Sequence, residues 1–216
     1  WFSRSVDDDA LNSQMITGNG LALLANRISY IFDFKGPSLS IDSACSSSLL
    51  ALNSAIQSLR QHECDYALVA GVNVIATSTL AQFYQCSGIA SASGICQPFS
   101  KNSDGIVRSE GVGVILLSRK TPHLNGYAEI VGGSINHNGQ SNGISSPNRF
   151  SQQELIHKTY DALKLASHDM AYIECHGTGT ALGDRIELLA LDSVMQSNER
   201  TQPCAIGSVK GLIGHA

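Results

Sequence analysis

Residues 36–59, GPSLSIDSACSSSLLALNSAIQSL, decide how the chain is read. Gly36 and Pro37 punctuate the chain ahead of Ser38-Leu39-Ser40-Ile41, whose alternation of polar and apolar residues predicts a short strand entering a core. Past Ser43-Ala44-Cys45 the period lengthens. Leu49, Leu52, Ile56 and Leu59 fall at i, i+3, i+7 and i+10, one face of a helix. Cys45 therefore stands at a strand-to-helix junction. The first N–H groups of a helix lack intrahelical partners and the dipole favours negative charge there, which favours a thiolate, the nucleophilic form of cysteine. The serines Ser46, Ser47 and Ser48 are small, polar and suited to capping the helix while leaving room beside the sulfur. On this stretch alone Cys45 is either a nucleophile or a small residue with no chemistry.

The rest of the composition fits a globular protein with one or two domains. The 216 residues are 43% hydrophobic and 15% charged, with 20 glycines for tight turns and close backbone approaches. A net charge of −4 gives no electrostatic reason to expect a nucleic-acid partner. No apolar run reaches the roughly 18 residues that span a bilayer, and WFSRSVDDDA lacks the basic-then-apolar layout of a signal peptide, so a cytoplasmic location is expected. The chain opens on Trp1 and closes on Gly214-His215-Ala216 inside a motif, as a fragment of a longer chain does. Cys45, Cys64, Cys86, Cys96, Cys175 and Cys204 are too widely spaced for a structural zinc site and are expected to stay reduced.

Along the chain, a helix is expected over about residues 21–32, and Tyr66 to Val74 reads as a buried strand, giving a strand–helix–strand unit around Cys45. Residues 87–110 read as loop. Val112–Leu117 and Ala128–Val131 read as two strands of a hairpin turning near Asn125-Gly126. A polar loop over residues 136–143 precedes a helix over 152–166 capped by Ser151; a short strand, 171–174, leads to a glycine-rich loop, then a helix over 184–195 and a strand at 205–207. Three strand ends thus deliver reactive side chains onto loops: Cys45, His176 and His215, with Lys210 five residues before the last. Glycines border both histidines, whereas His62, His123, His157 and His168 read as ordinary structural residues.

These loops carry a family resemblance. Asp42-Ser43-Ala44-Cys45-Ser46-Ser47-Ser48-Leu49 resembles the active-site signature of β-ketoacyl synthase domains, above all those of polyketide synthases and animal-type fatty acid synthases. Glu174-Cys175-His176-Gly177-Thr178-Gly179-Thr180 resembles the second signature of that family, and Gly207-Ser208-Val209-Lys210 with Ile213-Gly214-His215 the third. The resemblance implies an α/β thiolase-like fold, two similar halves with mixed sheets around buried helices, acting as a homodimer. It implies that residues 1–216 are the central part of a single ketosynthase domain, truncated at both ends. Leu212, Gly211, Ser43, Ser100, Ser109 and Asn138 stand where the family more often has other residues. The wording around Cys45 and Asn142-Gly143 leans toward polyketide synthases.

The resemblance also implies a mechanism. Cys45 takes an acyl chain from a thioester, and a malonyl-type extender on the phosphopantetheine of acyl carrier protein loses carbon dioxide and attacks it. His176 and His215 stabilise the enolate, Lys210 orders the site, and Thr178 and Thr180 bond the phosphopantetheine arm; no bound cofactor or metal is implied. An acyl-transfer domain that does not elongate typically lacks the histidine matching His176. A chain-length-factor-like partner lacks the nucleophile. Thiolases use a second cysteine and chalcone synthases a Cys-His-Asn set, neither of which matches, and a plain carrier-docking module requires none of the three residues.

Overall fold

The structure, a computed structural model, describes residues 13–123, 125–196 and 201–216. The segment WFSRSVDDDA lies outside the described residues. Eleven α- and β-elements are described: α1 (Ser13–Asn19), α2 (Ala22–Phe32), α3 (Ser47–Arg60), β1 (Tyr66–Asn73), α4 (Thr79–Cys86), β2 (Gly111–Ser118), α5 (Arg149–Leu163), β3 (Tyr172–Glu174), α6 (Ala181–Met195), β4 (Ala205–Gly207) and α7 (Lys210–Ile213). The chain divides into two units, residues up to 69 with 115–124, and residues 70–114 with 125–216. β1 pairs with β2, and β3 with β4.

In the first unit, α2 buries none of its residues and is held by polar ties. Arg27 donates to the Thr17 carbonyl at 2.9 Å, which links α2 to α1. Ser29 donates to Ser38 Oγ at 2.9 Å, and the Ala25 N–H donates to Ser40 Oγ at 3.4 Å. Residues 38–41 form no strand: the described residues offer them no ladder partner, and Ser38 and Ser40 are bonded to α2 instead. The strand–helix–strand unit expected around Cys45 is reduced to α3 and β1. Leu59 of α3 is buried, and the helix ends against Arg119, which donates to the carbonyls of Leu59 at 3.1 Å and Cys64 at 2.7 Å and pairs with Asp65. A guanidinium there satisfies orphan carbonyls at the negative end of the helix dipole.

β1 and β2 form over the expected residues but are not the buried strands that their apolar runs suggested. Of β1 only Val69 is buried, and Val112, Val114 and Leu116 of β2 are exposed. An apolar run shows what a strand is able to bury, while covering it requires partners from elsewhere. The expected hairpin is also absent. Residues 128–131 form no strand, and β2 pairs instead with β1, about 40 residues earlier.

The second unit is built on α5, α6 and the parallel β3–β4 pair, in which Tyr172 faces Ala205, Ile173 faces Ile206 and Glu174 faces Gly207. α5 starts earlier than expected because Asn148, not Ser151, caps it: Asn148 Oδ1 accepts from the Phe150 N–H at 3.0 Å and the Ser151 N–H at 3.3 Å. Its end is set by Lys164 in the left-handed region, φ 53°. α5 packs on α6, with Gln153 donating to Ser193 Oγ at 2.7 Å, and α6 buries Ala190 and Val194 one turn apart. α1, α4 and α7 were not foreseen. They are short, with too few turns to express a period.

Candidate active site

Cys45 belongs to the first unit. It follows Ala44, which adopts φ 54°, a left-handed conformation that costs an alanine about 1 kcal/mol and turns the chain sharply into α3. The Asp42 carboxylate holds that turn by accepting the Ala44 N–H at 3.0 Å. The serines do not cap the helix as expected. Ser46 is the cap residue without a capping side-chain bond, and the hydroxyls fold back on the turn: Ser46 donates to the Ser43 carbonyl at 2.9 Å, while Ser47 donates to the Ala44 carbonyl at 2.6 Å and accepts the Ser43 N–H at 2.8 Å. The turn is thereby fixed by its own serines, and the Cys45 side chain is exposed.

The second unit brings His176 and His215 together. Their ring centroids lie 5.6 Å apart with the planes at 87°, an edge-to-face contact. His176 sits on the loop that leaves β3, and His215 follows α7. Each is held through its backbone. The Glu187 carboxylate, projecting from α6, accepts the His176 N–H at 2.7 Å and the Gly177 N–H at 2.9 Å. His215 donates its N–H to the Val107 carbonyl at 2.7 Å and accepts the Ser109 N–H at 2.9 Å. The two loops are stitched to each other by Ser208, whose hydroxyl donates to the Gly177 carbonyl at 2.8 Å. Gly177 is the only residue type that fits this crossing: its φ is 41°, and a Cβ there would come within 2.6 Å of Ser208 Cβ and 3.0 Å of the Phe99 ring.

Burial and then the Lys210 charge lower the His176 pKa, although the residue as a whole is exposed. Burial, then His176 and Lys210, lower that of His215. These shifts favour the neutral form of both imidazoles, in which each ring has one N–H to donate, and the buried His215 Nδ1 has no partner among the described residues. A reaction that uses these rings as neutral donors is expected to be flat around neutrality and to fail in acid, with an inflection below the ordinary histidine value of 6.5. A pH–rate profile checks this, and an inflection at or above the ordinary value contradicts it. The sign for stability agrees: a lowered folded pKa gives a contribution present above the unfolded value and lost as pH falls through the folded one.

Of the other expected site residues, Lys210 opens α7, close enough to lower both histidine pKa values. Thr178 is buried and its hydroxyl lies 3.2 Å from that of Thr180, which is half-buried at the start of α6. Three carboxylates escaped the sequence reading. Glu187 holds the His176 loop, Asp184 is 4% exposed and accepts the Phe99 N–H at 2.8 Å, and Glu174 accepts the Val209 N–H at 2.8 Å. The spacing of Asp184 and Glu187, three apart at the start of a helix that follows the histidine loop, was an available signal, because it sets both on one face.

Residues 3–123 match the N-terminal domain of β-ketoacyl synthase and residues 127–216 its C-terminal domain. Highly reducing polyketide synthase 19 of Pyricularia oryzae is 42% identical over 204 residues, covering 93% of this chain and 8% of that protein. Polyketide synthase PksL of Bacillus subtilis is 42% identical over 208 residues, covering 94% and 5%. The chain therefore spans less than a tenth of the length of these two relatives. Among solved structures, the ketosynthase from module 6 of the bacillaene synthase of Bacillus subtilis aligns with a TM-score of 0.86 at 39% identity, over 95% of this chain and 38% of that one.

Proposed function

This chain belongs to the β-ketoacyl synthase family and has the thiolase-like α/β fold of its ketosynthase domains, of which it spans a part; on that premise we propose that it forms the centre of a single condensing domain, an acyltransferase of the 3-oxoacyl-carrier-protein synthase type, in polyketide biosynthesis. The observation that carries the reading is the contact of two histidines on loops fixed by their backbones. Polyketide products are favoured over fatty acids by the names of the relatives.

In this mechanism the Cys45 sulfur attacks an acyl thioester and the carrier thiol leaves, with the Cys45 N–H as one donor to the tetrahedral oxyanion. A malonyl-type extender on the phosphopantetheine of acyl carrier protein then loses carbon dioxide. The electron pair of the broken C–C bond forms an enolate, whose oxygen accepts hydrogen bonds from His176 and His215. The enolate carbon attacks the acyl carbonyl, the C–S bond to Cys45 breaks, and a chain two carbons longer remains on the carrier. Lys210 orders the histidines electrostatically. Thr178 and Thr180 bond the phosphopantetheine arm. The domain works as a cytoplasmic homodimer, with no partner among nucleic acids or membranes; among the described residues no helix is long and apolar enough to cross a bilayer.

The test uses the full-length protein. It is incubated with an acyl thioester, digested and mapped by mass spectrometry, then given malonyl-carrier protein while carbon dioxide and product mass are followed. Acyl on Cys45 followed by a product two carbons longer is expected. Loading without decarboxylation indicates a transfer-only domain, and an unloaded Cys45 in folded protein indicates a non-catalytic partner.

A further inference from the structure

Glu174 ends β3, directly before the His176 loop, yet its carboxylate serves the other loop. Oε1 accepts the Val209 N–H at 2.8 Å, and Oε2 accepts the Tyr172 hydroxyl at 2.5 Å. Tyr172 and Glu174 lie two apart on a strand and so share one face. Room for the phenol across the pair is made by Gly207, where a Cβ would meet the Tyr172 oxygen at 2.7 Å. Three residues thus form one device: Gly207 leaves the space, Tyr172 fills it and aims the carboxylate, and the carboxylate grips the chain one residue before Lys210. The same phenol, and after it the Val209 N–H, hold the Glu174 carboxyl below its ordinary value, so the group binds as an anion.

We infer that Glu174, aimed by Tyr172, is a positioning residue that fixes the start of α7 and with it the placement of Lys210 and His215 for the condensation step. It touches no reacting atom. It acts in parallel with Glu187, which holds the His176 side of the pair, so that each histidine loop has its own carboxylate. α7 has only four residues, too short to hold its direction by its own hydrogen bonds, and an outside anchor at its first turn sets where the side chains that follow point. The inference rests on the condensing function proposed above.

The experiment separates the two half-reactions in the full-length protein, comparing wild type with Glu174→Ala, Glu174→Gln and Tyr172→Phe. Loading of Cys45 is read by mass spectrometry, and condensation by kcat and KM for malonyl-carrier protein. Glu174→Ala is expected to load within about 3-fold of wild type while kcat for condensation falls about 10- to 100-fold at unchanged KM, the scale of a displaced catalytic group. Glu174→Gln keeps an acceptor for the Val209 N–H and is expected to recover to within about 3-fold, with Tyr172→Phe between the two. Hydrogen exchange of the Val209 amide should quicken in Glu174→Ala and not in Glu174→Gln. Unchanged condensation in Glu174→Ala overturns the inference, as does equal loss of both half-reactions or no rescue by glutamine. If Glu174→Ala fails to fold, Tyr172→Phe decides: lowered condensation with loading kept supports the inference, and wild-type condensation overturns it. A wild-type protein that does not condense removes the functional reading, and the inference with it.

Discussion

Replacing Cys45 by alanine is expected to eliminate acyl loading and to lower condensation by at least about a thousandfold. The effect should be this large because no neighbouring group is placed to substitute. The hydroxyl of Ser47 is committed to the turn on both sides, and those of Ser43 and Ser46 lie 2.9 Å apart. Cys45→Ser is the sharper variant. It keeps the volume and the turn, with Ala44 in its left-handed conformation, but an alcohol ionises far less readily than a thiol, so loading should fall nearly as far as with alanine. Peptide mapping after incubation with an acyl thioester reads the result. Wild-type loading in Cys45→Ala would remove Cys45 as the nucleophile.

His176→Ala is the second large effect, and it should divide the reaction. Loading of Cys45 is expected to persist within about 10-fold, whereas decarboxylation and condensation fall about 100- to 1,000-fold, the loss found when one donor to a developing oxyanion is removed. The division is expected to be clean because the imidazole does not hold its own loop. Glu187 binds the backbone N–H groups of His176 and Gly177, and Ser208 binds the Gly177 carbonyl, so the truncated residue leaves the loop tied. Carbon dioxide release after single-turnover loading is the measurement. Equal loss of loading and decarboxylation would mean that the loop had collapsed or that His176 acts in the first step.

The sequence made the reactive loops legible and left their supports obscure. Glycines beside His176 and His215 mark places where the backbone must turn or approach closely, and Gly177 meets that expectation against Ser208 and Phe99. The amphipathic periods of α3, α5 and α6 were readable because those helices have 14, 15 and 15 residues. Strand pairing was not. Asn125-Gly126 obeys a local hairpin rule, but β2 finds β1 across a long separation that no local rule encodes. The carboxylates were missed for the same reason. Glu187 bonds backbone 11 and 10 residues away, and Glu174 bonds backbone 35 residues away. A backbone donor carries no mark of its partner in the sequence.

The clip that holds His215 between Val107 and Ser109 has a consequence for gene recombination. Loop-based rules would splice two parental ketosynthases in the exposed turn at residues 120–123. Such a junction leaves every described helix and strand whole, yet it unites His215 from one parent with the ribbon that seats it from another. It also parts Asp184 from the Phe99 N–H and the Gly179 carbonyl from the Gly105 N–H. Residues 99–215 are therefore one heritable block, and a chimera that respects it should keep its histidine pair in register even where the flanking sequences diverge.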